Sequence, residues 1–247
     1  MINKKNEINI VIPMAGLGSR FISAGYDLPK PLILINNKPM IQLVVENLNI
    51  EANFIFIVQK KHRTDYNLDF ILKSIANDPT IIEVDGITEG AACTTLLAKD
   101  FIDNNTPLLL VNSDQYVKWN SLEFIQHMND TNCDAGILTC ETDNPNYSFV
   151  RLDDNNNVCE VAEKNPISNL ATVGMYFWKK GSDYVKYAEQ MISKNIRVNN
   201  EFYVCPVFNE AIESNLKIKT FMVEKMWCLG TPEDLEYFVK NYDFNIS

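Results

Sequence analysis

Residues Ile8 to Pro31 read INIVIPMAGLGSRFISAGYDLPKP, and this stretch decides the fold. Ile8, Ile10, Val11 and Ile12 form a short apolar, β-branched run with the length of a buried strand, and Pro13 is expected to end it. The run passes into Ala15-Gly16-Leu17-Gly18-Ser19-Arg20, small residues followed by a cation. The two glycines are expected to turn the backbone with positive φ and to let its N–H groups approach an anion. Arg20 is suited to grip phosphate oxygens bidentately, and Lys30, fixed between Pro29 and Pro31, adds a second positive charge. The combination predicts a loop that holds a triphosphate. The plainer alternative is a Gly-rich strand exit with two surface cations.

Two common phosphate loops are excluded. A dinucleotide-binding turn needs G-x-G-x-x-G, and Phe21 stands at the third glycine's place. A Walker-type loop needs G-x-x-x-x-G-K-[ST], which is absent.

Outward from this stretch, Met40, Ile41, Val44, Val45 and Leu48 follow helical spacing after Pro39. Asn53–Val58, Ile81–Val84, Leu108–Val111 and Ala135–Cys140 read as further buried strands, with a helix tail at Leu68–Ala76. Strands alternating with helices imply a parallel sheet flanked by helices, with ligands at the carboxyl ends of its strands. Beyond about Asn146 the pattern changes. Tyr147–Leu152 and Val158–Ala162 flank the turn Asp153-Asp154-Asn155-Asn156-Asn157 and predict a hairpin. Ala171–Trp178 and Lys217–Val223 predict strands, and Gly181–Met191, Cys205–Glu213 and Pro232–Tyr242 predict helices. The fold class expected is therefore α/β, a mixed, mostly parallel Rossmann-like sheet in one domain. Residues 1–145 would form a nucleotide-binding half, and 146–247 a substrate-side half with a small hairpin subdomain.

The 247 residues suffice for one sizeable core, and the net charge of −10 argues against a nucleic-acid partner, which would need a basic face. An anionic substrate must then be drawn in by local cations. The six cysteines form no C-x-x-C pair and read as reduced thiols of a cytoplasmic protein. Met1–Glu7 lacks the apolar region of a signal peptide, and no apolar run approaches the roughly 20 residues that span a bilayer, so no membrane role is expected.

Several polar constellations fall just after the predicted strands. In Thr88-Glu89-Gly90-Ala91-Ala92, the Gly-Ala-Ala run is a small-residue helix start that lets a flat base lie against backbone. Asp114, in Asn112-Ser113-Asp114-Gln115, is a carboxylate at the end of a buried strand, placed to hold Mg²⁺ against phosphate oxygens, with Mn²⁺ as the alternative ion. His62 and His127 read as surface or interface residues, and no Ser/His/Asp or Cys/His arrangement suggests itself.

Taken together, the segments Gly16-Leu17-Gly18-Ser19-Arg20-Phe21, Pro29-Lys30-Pro31-Leu32 and Lys38-Pro39-Met40 resemble, in order, the signature of the sugar nucleotidyltransferases, the nucleotide-sugar pyrophosphorylases. The resemblance implies that Ala15, Gly16, Gly18, Ser19, Asp85, Glu89, Gly90 and Ala91 bind a nucleotide and that Asp114 binds the metal. Arg20, Lys30 and Lys164 would be catalytic. Glu163 and Lys164 match an E-K-P-like segment with one inserted residue. Gly174, in Val173-Gly174-Met175-Tyr176, and Glu201, in Asn200-Glu201-Phe202-Tyr203, match acceptor-side positions. Asp85 stands where members using uracil or thymine often carry glutamine. A carboxylate only accepts, which suits the cytosine N4 amine or the guanine N1/N2 edge; CTP is favoured, with UTP, dTTP or GTP as alternatives, and Asp85 reads equally as a solvated strand-end acid.

Two positions depart from the family pattern. Trp227-Cys228-Leu229-Gly230-Thr231-Pro232 places Cys228 where many members have a second metal-binding aspartate, and Ser148 replaces a frequent glycine. A thiol is a poor Mg²⁺ ligand. Either Asp114, the triphosphate and water hold the metal, or activity is altered, and both departures suggest an acceptor phosphate other than the ordinary hexose 1-phosphates. The reaction implied joins an NTP to a phosphorylated acceptor with release of pyrophosphate, for surface polysaccharide synthesis, by a chain that could form a homo-oligomer. Two rivals remain. A glycosyltransferase of similar architecture would normally carry an Asp-x-Asp pair, which is not present at 112–116. A non-catalytic nucleotide or sugar-phosphate sensor is suggested by Cys228.

Overall fold

The computed structural model describes residues 8–244, so the Met1–Glu7 segment lies outside the described residues. The strands are β1 (Asn9–Met14), β2 (Leu34–Ile35), β3 (Lys38–Pro39), β4 (Asn53–Gln59), β5 (Thr80–Val84), β6 (Leu108–Val111) and β7 (Gln115–Lys118). They continue as β8 (Ala135–Glu141), β9 (Ser148–Leu152), β10 (Val158–Glu163), β11 (Leu170–Trp178), β12 (Ile218–Met222) and β13 (Lys225–Cys228). The main sheet runs β10-β9-β11-β6-β1-β4-β5, with β8 pairing both β11 and β12. The set β6-β1-β4-β5 is parallel, as the alternation of strands and helices predicts.

The Ile8–Ile12 run lies at the centre of that parallel set. Ile10, Ile12 and Met14 pack into one hydrophobic cluster with Phe54, Phe56 and Val58, while Val11 packs with Ile55 and Ile57 into another. Strand alternation thus sends each run to both faces, and both faces are covered. β1 does not end at Pro13, because Pro13 pairs with Ile57 and Met14 with Val58. The N–H of Asn9 points toward the β6 side, to Pro107 O, and alternate residues point the same way. Pro13 therefore faces a flank where pairing with β6 has already stopped at Val11, so its missing donor costs no ladder bond.

β11 joins the two halves, running antiparallel to β6, β8 and β9. β8 runs in the same direction as β6 but lies beyond β11. The predicted hairpin is present as β9–β10, its turn held by Asp153 Oδ1, which accepts from Asn155 and Asn157 N–H at 2.8 Å each. The helix expected from Cys205 starts at Val207, after Pro206. The ribbon β7–β13, off the main sheet, was not foreseen; it sets Cys228 opposite Gln115 and Trp227 opposite Tyr116. No helix among the described residues is long and apolar enough to cross a membrane.

Candidate active site

A cleft of about 880 Å³ opens where β1, β5 and β6 end, the position the parallel arrangement predicts. Met14, Ala15 and Gly16 leave β1 along its wall, Thr88, Gly90 and Ala91 follow β5, and Asn112 to Asp114 follow β6. Gly18 is left-handed (φ 64°), and a Cβ there would lie 3.2 Å from Lys30 Cβ, so this glycine makes room for the lysine. Gly16 does not have positive φ, contrary to the expectation, and open space surrounds it.

Arg20 and Lys30 both line the cleft. Lys30 Nζ donates to Asp114 Oδ2 at 2.7 Å, and Arg20 has no carboxylate partner among the described residues. Gly230 passes close by, where a Cβ would lie 3.1 Å from Asp114 Oδ2 and 3.4 Å from Cys228 Sγ. Burial, and next the charge of Asp114, push the Cys228 thiol up to about 12, so it stays protonated at neutral pH. Among the described residues no three His, Cys, Asp or Glu side chains converge to hold a metal.

Glu163, Lys164, Gly174 and Glu201 line the same cleft, and Gly174 O accepts from Asn112 N–H at 2.9 Å. Glu163 accepts a short hydrogen bond from Ser148 Oγ, so the serine that replaces the expected glycine has a partner. Burial raises the Glu163 pKa, partly offset by Ser148 and Lys164. Lys164 is left-handed (φ 53°), an uncommon backbone for a lysine, and its ammonium donates to Tyr203 Oη at 2.6 Å.

Four residues proposed for the nucleotide do not line the cleft: Gly18, Ser19, Asp85 and Glu89. The side chain of Asp85 is 89% exposed and 4.0 Å from Lys60, so the preference for CTP drawn from it has no geometric support. Glu89 pairs with Arg197, whose guanidinium stacks 3.9 Å above the Phe202 ring. Gly90 is needed for a different close approach than the one expected. Its Cβ would fall 2.5 Å from Phe202 N and O, because Phe202 N–H donates to Glu89 O and Ala92 N–H to Phe202 O. Tyr203 and Arg197 carry no sequence signal that marks them, since each bonds a partner distant in the chain.

The Nucleotidyl transferase family profile matches residues 10–243. Among curated relatives, the Bifunctional protein GlmU of Methanocaldococcus jannaschii is 30% identical over 92% of this chain and 52% of its own length. The low-salt glycan biosynthesis nucleotidyltransferase Agl11 of Haloferax volcanii is 27% identical over 91% of this chain and 63% of its own. The chain thus spans roughly half to two thirds of these relatives. The UTP–glucose-1-phosphate uridylyltransferase of Haemophilus ducreyi is 26% identical over 68% of this chain and 72% of its own length. A nucleoside-diphosphate-sugar pyrophosphorylase from Vibrio cholerae superposes with a TM-score of 0.79 at 24% identity, covering 94% of this chain and all of that one, which establishes the shared fold. With nearly the whole sequence matched, the chain belongs to the nucleotidyl transferase family.

Proposed function

We propose that the protein joins a nucleoside triphosphate to a phosphorylated acceptor, releasing pyrophosphate. A phosphate oxygen of the acceptor attacks the α-phosphorus, the bond from the α-phosphorus to the bridging oxygen breaks, and the electron pair leaves with pyrophosphate. The attacking oxygen is already anionic, so no general base is required. The protein's task is alignment and charge neutralisation. Arg20 stabilises the departing pyrophosphate, Lys30 the α-phosphate and Lys164 the attacking phosphate, while Glu163 and Glu201 accept from the acceptor's hydroxyls. Asp114 fits a magnesium ion that takes one carboxylate plus substrate phosphates and water, and such an ion would offset phosphate charge. Cys228, a protonated thiol, adds no ligand.

The observation that carries this reading is one cleft lined by Arg20, Lys30 and Asp114 together with Glu163, Lys164 and Glu201. UTP is the first triphosphate to test, because the Haemophilus relative is named for it. The Haloferax relative, named for glycan biosynthesis, supports an activated sugar or polyol for a surface polysaccharide, made in the cytoplasm where triphosphates are. A pyrophosphate-release screen crossing UTP, CTP, dTTP, GTP and ATP with sugar, amino-sugar and polyol phosphates tests the reading. Turnover with at least one pair is expected. Tight nucleotide binding with no release in Mg²⁺ or Mn²⁺ would favour a sensor, and sugar transfer from an NDP-sugar a glycosyltransferase.

A further inference from the structure

Among the described residues, Gln115 is the only one lining the cleft with a buried side-chain polar atom that lacks a hydrogen-bond partner, its Oε1. The residue is only 8% exposed. Buried polar groups are nearly always paired, so an unpaired one in a residue that lines a cleft calls for an explanation. The placement is built in by the fold. Gln115 opens β7, beside Asp114, and its backbone is fixed opposite Cys228 of β13. Its carboxamide lies on Gly174 of β11, where a Cβ would come within 2.0 Å of Oε1 and 2.4 Å of Asn112 Nδ2. Gly174, with φ 70°, is therefore what gives the two amides their room.

We propose that Gln115 is a specificity-determining residue that reads the acceptor. Its Oε1 takes a hydrogen bond from an O–H or N–H on the acceptor's carbon skeleton, so the substrate is a phosphomonoester with a hydroxyl or ammonium near its phosphate. A half-turn about the terminal torsion, which is soft in glutamine, exchanges the two ends of the amide, bringing Oε1 to the cleft and setting Nε2 on Gly174. The surrounding groups agree. Glu163 and Glu201 line the same cleft, and an ionised carboxylate only accepts, so the cleft suits a ligand that carries donors. The inference rests on the nucleotidyl-transfer reading for calling this ligand the acceptor.

The test compares wild type with Gln115→Met, which keeps the length and removes the acceptor atom. Calorimetry would measure the binding of hexose 1-phosphate, hexosamine 1-phosphate, glycerol 3-phosphate, ethanolamine phosphate and propyl phosphate, and pyrophosphate release would be followed in parallel. Wild type is expected to prefer at least one donor-bearing phosphate over propyl phosphate by about tenfold, and Gln115→Met to erase that preference while leaving the Kd for nucleotide within about twofold. The ratio is insensitive to partial misfolding, and Gln115→Glu, which keeps accepting oxygens, should restore it for the amine-bearing phosphates. Preference for the amines over glycerol 3-phosphate and hexose 1-phosphate would identify an ammonium donor, and the reverse a hydroxyl. A preference unchanged in Gln115→Met, or none in wild type, overturns the proposal. Gln115-dependent selectivity without pyrophosphate release would leave it standing and defeat nucleotidyl transfer instead.

Discussion

Lys30 Nζ lies 2.7 Å from Asp114 Oδ2, although 84 positions separate the two residues in the chain. The side chains are 19% and 24% exposed, so the pair is less screened than a surface ion pair. Each charge holds the other in place at the end of β6. Lys30→Ala and Asp114→Ala are each expected to lower kcat by about 10²-fold, the scale of one lost transition-state contact. Because the two act as a unit, the double variant should lose much less than the product of the single losses. Steady-state kinetics of the three variants checks this.

Gly90 and Gly16 should respond oppositely to alanine. At Gly90 a methyl would meet the Phe202 backbone at 2.5 Å, in a residue with φ 132°, and a cost of about 1–3 kcal/mol is expected. At Gly16 nothing lies within 4 Å, and the change is expected to stay within about 0.5 kcal/mol. Urea denaturation of the two variants decides the matter.

Cys228, pushed up to about 12, is expected to resist iodoacetamide at pH 8 while the exposed Cys159 is alkylated, as peptide mass mapping would show. Cys228→Asp sets a further carboxylate beside Asp114. It should lower the Mg²⁺ concentration that gives half-maximal turnover by several-fold, since each added oxygen ligand favours the ion. An unchanged Mg²⁺ dependence would place the metal elsewhere.

Burial raises the pKa of Glu163. Its folded value therefore exceeds the unfolded one, so the folded state holds this proton more tightly. The stability it contributes is fully present below the ordinary carboxylate pKa and is lost as pH rises through the raised value. Thermal melts of Glu163→Gln, which cannot ionise, should show a smaller fall in Tm over that interval than wild type.

The sequence marked the parts of the site that depend on local chemistry. The strand into Gly18, the cations Arg20 and Lys30, the strand-end Asp114 and the pair Glu163-Lys164 all line or support the cleft. What it could not mark depends on contacts between distant segments. Asp85 and Gly90 lie five residues apart, yet only Gly90 reaches the cleft, because the Asp85 side chain turns to solvent near Lys60. The role of Gly90 rests on Phe202, and the room for the Gln115 carboxamide rests on Gly174. The ribbon β7–β13 was illegible for the same reason: two four-residue strands carry little periodicity, and neither half predicts the other.

The most direct test of the central claim follows label from the triphosphate. With an NTP and acceptor that turn over, label in the α-phosphate should appear in the NDP-linked product and label in the γ-phosphate in pyrophosphate. Label passing from the γ-phosphate to the acceptor, or leaving as inorganic phosphate, would contradict attack at the α-phosphorus and with it the roles given to Arg20, Lys30 and Lys164.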